Sequence, residues 1–200
     1  DEVVQKLGAI SESKGDAARV GGLVDAALPA AQRVQAILRD IVRFSEHSRP
    51  DARPIPVAAF VQKLAEHHGD LHRDIRFSVT GGAEGLEMSG DEEKLTSAFG
   101  SLIENACDAM GNRGEFSIDV GMDSSGSERR VVFRFKDDGP GIPADQIDKI
   151  FLPFFSTKGN KGSGLGLTIA RRVIEDHRGE LRADAGVASG ACFIATIPSA

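Results

Sequence analysis

The stretch LIENACDAM at residues 102–110, taken with DDGPGI at 137–142, IFLPFFSTK at 150–158 and GSGLGL at 162–167, decides how this chain is read. The first segment ends an apolar-periodic run from about residue 91 to 110, which predicts a long helix with Asp91 as its N-cap. Upstream, residues 57–68 read as an amphipathic helix, with strands near 75–79 and 86–88. Downstream, strands are expected near 115–121 and 130–136, the second alternating Val131, Phe133 and Phe135 with Val132, Arg134 and Lys136. A helix near 164–177 and strands near 180–184 and 191–197 complete the pattern. Helices interleaved with neighbouring strands in this order give an α+β fold: an α/β sandwich with helices packed on one face of a mixed sheet.

Residues 1–48 have a different texture. They lack strand-like segments and are rich in helix formers. Val3, Leu7 and Ile10 are spaced three and four apart, as are Val34, Ile37, Ile41 and Phe44, with turn-forming residues at 11–16 between them. This predicts a two-helix hairpin, bent or restarted at Pro29. One hairpin cannot cover both sides of its apolar seam, so a homodimer with a four-helix bundle is expected. Residues 49–56, with Pro50, Pro54 and Pro56, read as a linker to a domain spanning 57–198.

The 200 residues are 40% hydrophobic and 27% charged, enough for one compact domain with a smaller element attached. A net charge of −6, from 30 acidic and 24 basic residues, leaves no global positive field for nucleic acid or anionic lipid. Phosphate binding must then be local. Cys107 and Cys192 fit neither a metal-ligand spacing nor a disulfide framework and read as reduced core residues. No apolar run approaches the roughly 20 residues needed to cross a bilayer, and no signal-peptide block opens the chain. The expected setting is the cytoplasm, without direct membrane contact from this segment, and a membrane-tethered parent protein is compatible with it.

Each quoted segment carries chemistry of its own. Asn105 offers a neutral carbonyl oxygen, a ligand type that suits magnesium. Asp137 supplies a carboxylate that can receive the exocyclic amine of adenine and would repel the carbonyl of guanine. Gly139 and Gly141 let the backbone approach a flat ring, while Pro140 and Pro143 stiffen the turn. For Phe151 the residues leave open a core role and a role in anchoring a lid. The stretch from Ser156 to Ser163 is small, polar and basic, which suits a mobile lid over phosphates, with Lys158 as its main phosphate contact and Lys161 a weaker one. Gly162, Gly164 and Gly166 open a helix and present backbone N–H groups to an anion. His72-Arg73-Asp74 reads as a solvated turn, and His177 as a helix cap.

The four segments, in this order, resemble the N, G1, F and G2 boxes of the histidine kinase catalytic domain, in the superfamily that also holds DNA gyrase. The resemblance runs through residues 57–198, and ILRDIVRFSEH resembles the second dimerisation helix of these kinases. It implies a Bergerat-type fold that binds ATP with Mg2+, Asn105 being the metal ligand. It also implies nucleotide contacts from Asp108, Asp137, Gly139, Gly141, Ile142, Phe154, Ser156, Thr157, Lys158, Gly162, Ser163, Gly164, Leu165, Gly166 and Leu167. Glu104, Asn105 and Lys158 are the catalytic candidates. The implied activity is transfer of the γ-phosphoryl group to a histidine, for relay to an Asp of a response-regulator receiver domain. The alternative is an ATP-gated or catalytically silent dimeric scaffold of the same superfamily. Ser101 departs from the pattern where these kinases carry the first Asn of the N box, and where hydrolytic members carry a water-activating Glu. Ala191 stands where Thr is frequent. No acceptor-box histidine occurs in residues 1–47, and the acceptor is expected before Asp1 or lost.

Overall fold

In the computed structural model the described residues are 49–126, 128–157, 163–184 and 189–200, together with Ala27, Leu28, Ala31, Val34, Gln35, Leu38 and Val42. These last seven are helical. The rest of the expected hairpin, including Ile37, Ile41 and Phe44, lies outside the described residues. Two compact units divide the chain, residues 1–46 with 156–163, and residues 47–155 with 164–200.

The larger unit opens with strand β1 (Arg53–Pro56) and helix α1 (Val57–Leu71), then β2 (Ile75–Gly81) and β3 (Glu87–Gly90). Helix α2 (Glu92–Ala109) follows, then β4 (Gly114–Asp123), β5 (Arg130–Asp137), α3 (Gly166–Asp176), β6 (Glu180–Ala183) and β7 (Cys192–Pro198). Five strands form a mixed sheet in the order β2-β4-β5-β7-β6, with β2 and β4 parallel and the other pairs antiparallel. The expected α+β class holds, and the long elements fall close to their predicted ranges.

The one element the sequence reading passes over is β1, inside the segment read as a linker. It pairs antiparallel with β3, Ile55 facing Met88, in a separate two-stranded sheet. Proline is excluded from central strands because it lacks an N–H, but a short two-stranded ribbon has outer edges where Pro54 and Pro56 lose nothing.

Alternation on β5 builds the core. Val131, Phe133 and Phe135 are buried on one face, while Arg134 and Lys136 on the other are exposed. Phe99 of α2 packs edge-on against both Phe133 and Phe135, at 5.0 and 4.9 Å between ring centroids, and against Phe60 of α1 at 5.6 Å. Edge-to-face aromatic packing of this kind adds to the stabilisation from buried apolar area. Asp91 caps α2 as expected, its side chain accepting from the Lys94 N–H.

Candidate nucleotide site

The helix pair α2 and α3 is held in register by His177. Its Nε2 accepts the Asp91 N–H at 3.0 Å, and its Nδ1 lies 2.6 Å from the Val173 carbonyl, so the proton resides on Nδ1. The end of α3 therefore meets the start of α2, and the two helices pack against each other. His177 is the cap the sequence suggests, and it also ties the end of α3 to the start of α2.

Asp137 completes the alternation of β5 on the core side and is 3% exposed. Its Oδ1 accepts N–H bonds from Gly139 at 2.9 Å and Ala191 at 3.1 Å. Both bonds fall on one oxygen, and among the described residues none donates to Oδ2. Burial pushes the carboxyl above the usual Asp range, against the two N–H bonds that favour its charged form. Gly190 fixes this mount: its φ is +73°, and a Cβ there would lie 1.8 Å from the Asp137 carbonyl oxygen. Sequence reasoning missed Gly190; the buried contact needs the β5–β7 register to be seen. Gly141, at φ +79°, likewise has no room for a side chain beside the Gly190 carbonyl. At Gly139 a Cβ would lie 3.3 Å from Met110, so the turn after Asp137 closes on the end of α2.

The remaining candidates separate by where they sit. Asn105 is half-buried and Asp108 exposed, both on α2. Gly164, at φ +69°, accepts the Phe154 N–H at 3.0 Å through its carbonyl. Phe154 itself is 71% exposed, so no core role accounts for it. Leu165 is fully buried, and Leu167 and Ile142 pack against the core, which leaves their backbones rather than their side chains for a ligand. Phe151 is a core residue: its ring meets Phe193 edge-on, with the Arg171 guanidinium 5.1 Å from its centroid. Ser156, Thr157 and Ser163 belong to the smaller unit, and Lys158, Lys161 and Gly162 lie outside the described residues. Ser101 turns its hydroxyl back to the Ser97 carbonyl of its own helix at 3.0 Å.

Glu104 is engaged away from these groups. Its Oε1 lies 2.9 Å from His68 Nδ1 and 3.0 Å from His72 Nε2, both reached from α1. The hydrogen bond from His68, helped by that from His72 and by their charge, holds the carboxyl down at about 2 although burial opposes it. His72 is thus not the solvated residue the sequence suggests, although Arg73 and Asp74 do form an exposed turn. The helical i, i+4 spacing of His68 and His72 is the signal that could have revealed the pair.

Residues 90–200 match the family described as histidine kinase-, DNA gyrase B- and HSP90-like ATPase. Sporulation kinase C of Bacillus subtilis is 35% identical over 115 residues, 58% of this chain and 26% of that protein. Sensor histidine kinase TmoS of Ectopseudomonas mendocina is 30% identical over 172 residues, 84% of this chain and 18% of that protein. The chain thus spans about a quarter or less of these relatives. The catalytic domain of histidine kinase ThkA superposes with a TM-score of 0.65 at 29% identity, covering 74% of this chain and 95% of that domain. A structure of ThkA in complex with response regulator protein TrrA shares the fold over 99% of this chain and 57% of that one, at 21% identity and a TM-score of 0.77. No described helix is long and apolar enough to cross a membrane. With the match covering more than half of its residues and the fold agreeing, this chain belongs to the histidine kinase-, DNA gyrase B- and HSP90-like ATPase family.

Proposed function

We propose that this chain is the nucleotide-binding core of a sensor histidine kinase, binding Mg-ATP and directing its γ-phosphoryl group to a histidine, with a response-regulator Asp as the eventual acceptor. The observation that carries this reading is Asp137, a buried carboxylate whose Oδ1 accepts two backbone N–H groups and whose Oδ2 accepts none from the described residues. An exocyclic amine can donate to Oδ2, and a guanine carbonyl would be repelled by it. Bound ATP would supply the phosphoryl group, and magnesium would neutralise its charge.

The chain's own residues then position and select. Asn105 would hold the metal through its amide oxygen, with Asp108 one turn further along the same helix. The Gly164–Gly166 backbone at the start of α3 would present N–H groups to the phosphates, and Lys158 in the lid would add a cation. Glu104 is left out of this set because its carboxylate is engaged by α1. Ser101 cannot activate water as a carboxylate would, and its hydroxyl is turned into the helix, which favours transfer over hydrolysis. A homodimer through residues 1–48 is part of the reading, since the helical Leu28, Val34, Leu38 and Val42 are 49–57% exposed. A response regulator is the proposed partner, as for ThkA, and the cytoplasm the proposed setting.

Titrating wild type and Asp137→Asn with ATP and with GTP tests the site. We expect an ATP affinity at least about tenfold weaker in the variant and a narrowed preference over GTP. Unchanged ATP affinity would remove Asp137 from the site. Residues 49–200, which keep β1, should sediment as a monomer where the full chain is dimeric, and a monomeric full chain at high concentration would refute the bundle.

A further inference from the structure

We propose that His68, His72 and Glu104 form a binding site for a divalent transition metal of the zinc type, bracing α1 to α2. This inference is independent of the nucleotide reading. The three ligand atoms come from two helices and lie within 4.8 Å of one another. His68 and His72 sit four residues apart, on one face of α1 and at its C-cap, with rings nearly parallel at 10° and centroids 6.4 Å apart. Glu104 Oε1 projects from α2 to both, at 2.9 and 3.0 Å.

One carboxylate oxygen facing two imidazole nitrogens is held by two N–H protons when no metal is present. A divalent cation can take the place of those protons: each neutral ring then binds it through the nitrogen that faces Glu104 and keeps its one proton on the other nitrogen, His68 on Nε2 and His72 on Nδ1. Zinc bonds of about 2.0–2.2 Å place tetrahedral ligand atoms roughly 3.3–3.4 Å apart, so each N···O separation needs to open by only a few tenths of an ångström. The two nitrogens must close toward each other, and His72 can supply that movement because it ends the helix. His68 is the fixed ligand: it is buried, and its Nε2 edge lies against Gly100 of α2, which aims Nδ1 at the site.

Two imidazoles and one carboxylate select zinc, cobalt or nickel over magnesium and calcium, which prefer all-oxygen surroundings. The Glu104 side chain is 47% exposed and that of His72 16%, so a fourth, water-filled position opens to solvent. A metal here would tie α1 to the helix that carries Asn105, one residue beyond Glu104.

The test uses the full 200-residue chain, stripped with chelator and titrated with Co2+ in excess Mg2+ and without nucleotide. We expect one equivalent to bind with the visible absorption of a low-coordinate nitrogen and oxygen site. Affinity should fall at least about tenfold in His72→Gln and in Glu104→Gln, and stay unchanged in His67→Gln, an exposed neighbour outside the set. A readout that needs no variant is the imidazole nitrogen spectrum of the wild type during Zn2+ titration, where His68 and His72 should shift and His67 and His177 should not. No saturable binding, equal affinity in both ligand variants, or shifts confined to other histidines would each overturn the site and leave the triad as a hydrogen-bonded brace.

Discussion

Asp137 and Glu104 are carboxylates of the same compact unit, each accepting two hydrogen bonds on a single oxygen, yet their acidities move in opposite directions. At Asp137 the donors are neutral backbone N–H groups and the side chain is almost wholly buried, so desolvation prevails and the carboxyl is pushed up. At Glu104 the donors are imidazoles and half the side chain stays in water, so the donors prevail and the carboxyl falls to about 2. The count of hydrogen bonds does not decide the outcome: at Glu104 the His68 hydrogen bond outweighs partial burial, and at Asp137 burial outweighs both N–H bonds. Asp137 gains from any further donor that a ligand brings, whereas Glu104 is already compensated.

The mounts of the two groups differ most, and breaking them gives the largest effect. Gly190→Ala drives a Cβ into the Asp137 carbonyl and asks a side chain to adopt φ +73°. We expect a loss of about 3 kcal/mol or more in urea unfolding, with ATP binding lost at the same time. The matching change on the other side is Gly100→Ala, where the added Cβ would meet His68 Nε2 at 3.5 Å, an ordinary contact inside a helix. It should gain up to about 1 kcal/mol from helix propensity. Equal losses in the two variants would show that the tightness at Gly190 is not what holds Asp137.

Neutralising the carboxylates should give opposite signs. Asp137→Asn keeps an acceptor for the Gly139 and Ala191 N–H groups and removes a charge that burial penalises, so stability should stay within about 0.5 kcal/mol of wild type or rise. Glu104→Gln removes an acidity lowered from 4.5 to about 2. Because the group is half exposed, solvent screening reduces its contribution to about 1 kcal/mol. A lowered carboxylate stabilises the fold above its unfolded value and loses that effect as pH falls through its folded value. The deficit of Glu104→Gln in metal-free protein should therefore be full above pH 4.5 and shrink toward pH 2. Urea midpoints at pH 6 and pH 3 check this, and a deficit that does not change with pH would mean lost packing rather than lost charge.

The contrast also marks what the sequence could and could not express. Asp137 stands out in the sequence because it opens the Asp-Asp-Gly-Pro-Gly turn, a local pattern, whereas its place in the alternation of Val131, Phe133 and Phe135 appears only in the structure, where β5 runs one residue past the expected range. Gly190, 53 residues later, does not, since its role comes from a β5–β7 contact that only the sheet register brings together. The same holds for Glu104, which in sequence stands beside Asn105 and suggests shared chemistry. On α2 the next residue lies about 100° further around the axis, and Glu104 instead finds two histidines from α1. Strand β1 went unread for another reason: Pro54 and Pro56 argue against a strand unless an edge is known to be available. Phe151, left open between core and lid, was settled by Phe193 and Arg171, neither of which is near it in sequence.

The smallest expected effect concerns Cys107, which lies on α2 between the two carboxylates and feels both. It is fully buried, and burial first, then the Glu104 charge, with smaller contributions from Asp108 and Asp137, pushes its thiol up to about 12. Cys192 is also buried and raised. At pH 8 both thiols should be protonated and shielded, so a disulfide reagent should react with native protein at the rate of its opening and with unfolded protein at once. Glu104→Gln removes the largest charge acting on Cys107 but leaves the larger effect of burial in place. Labelling in that variant should rise only as far as its lower stability allows, about fivefold for 1 kcal/mol, while Asp137→Asn should show no rise. Mass spectrometry of tryptic peptides distinguishes Cys107 from Cys192. A fast native phase at Cys107 in the wild type would mean that α2 exposes its core face between the two carboxylates, and would undercut the rigid mount that the contrast between them assumes.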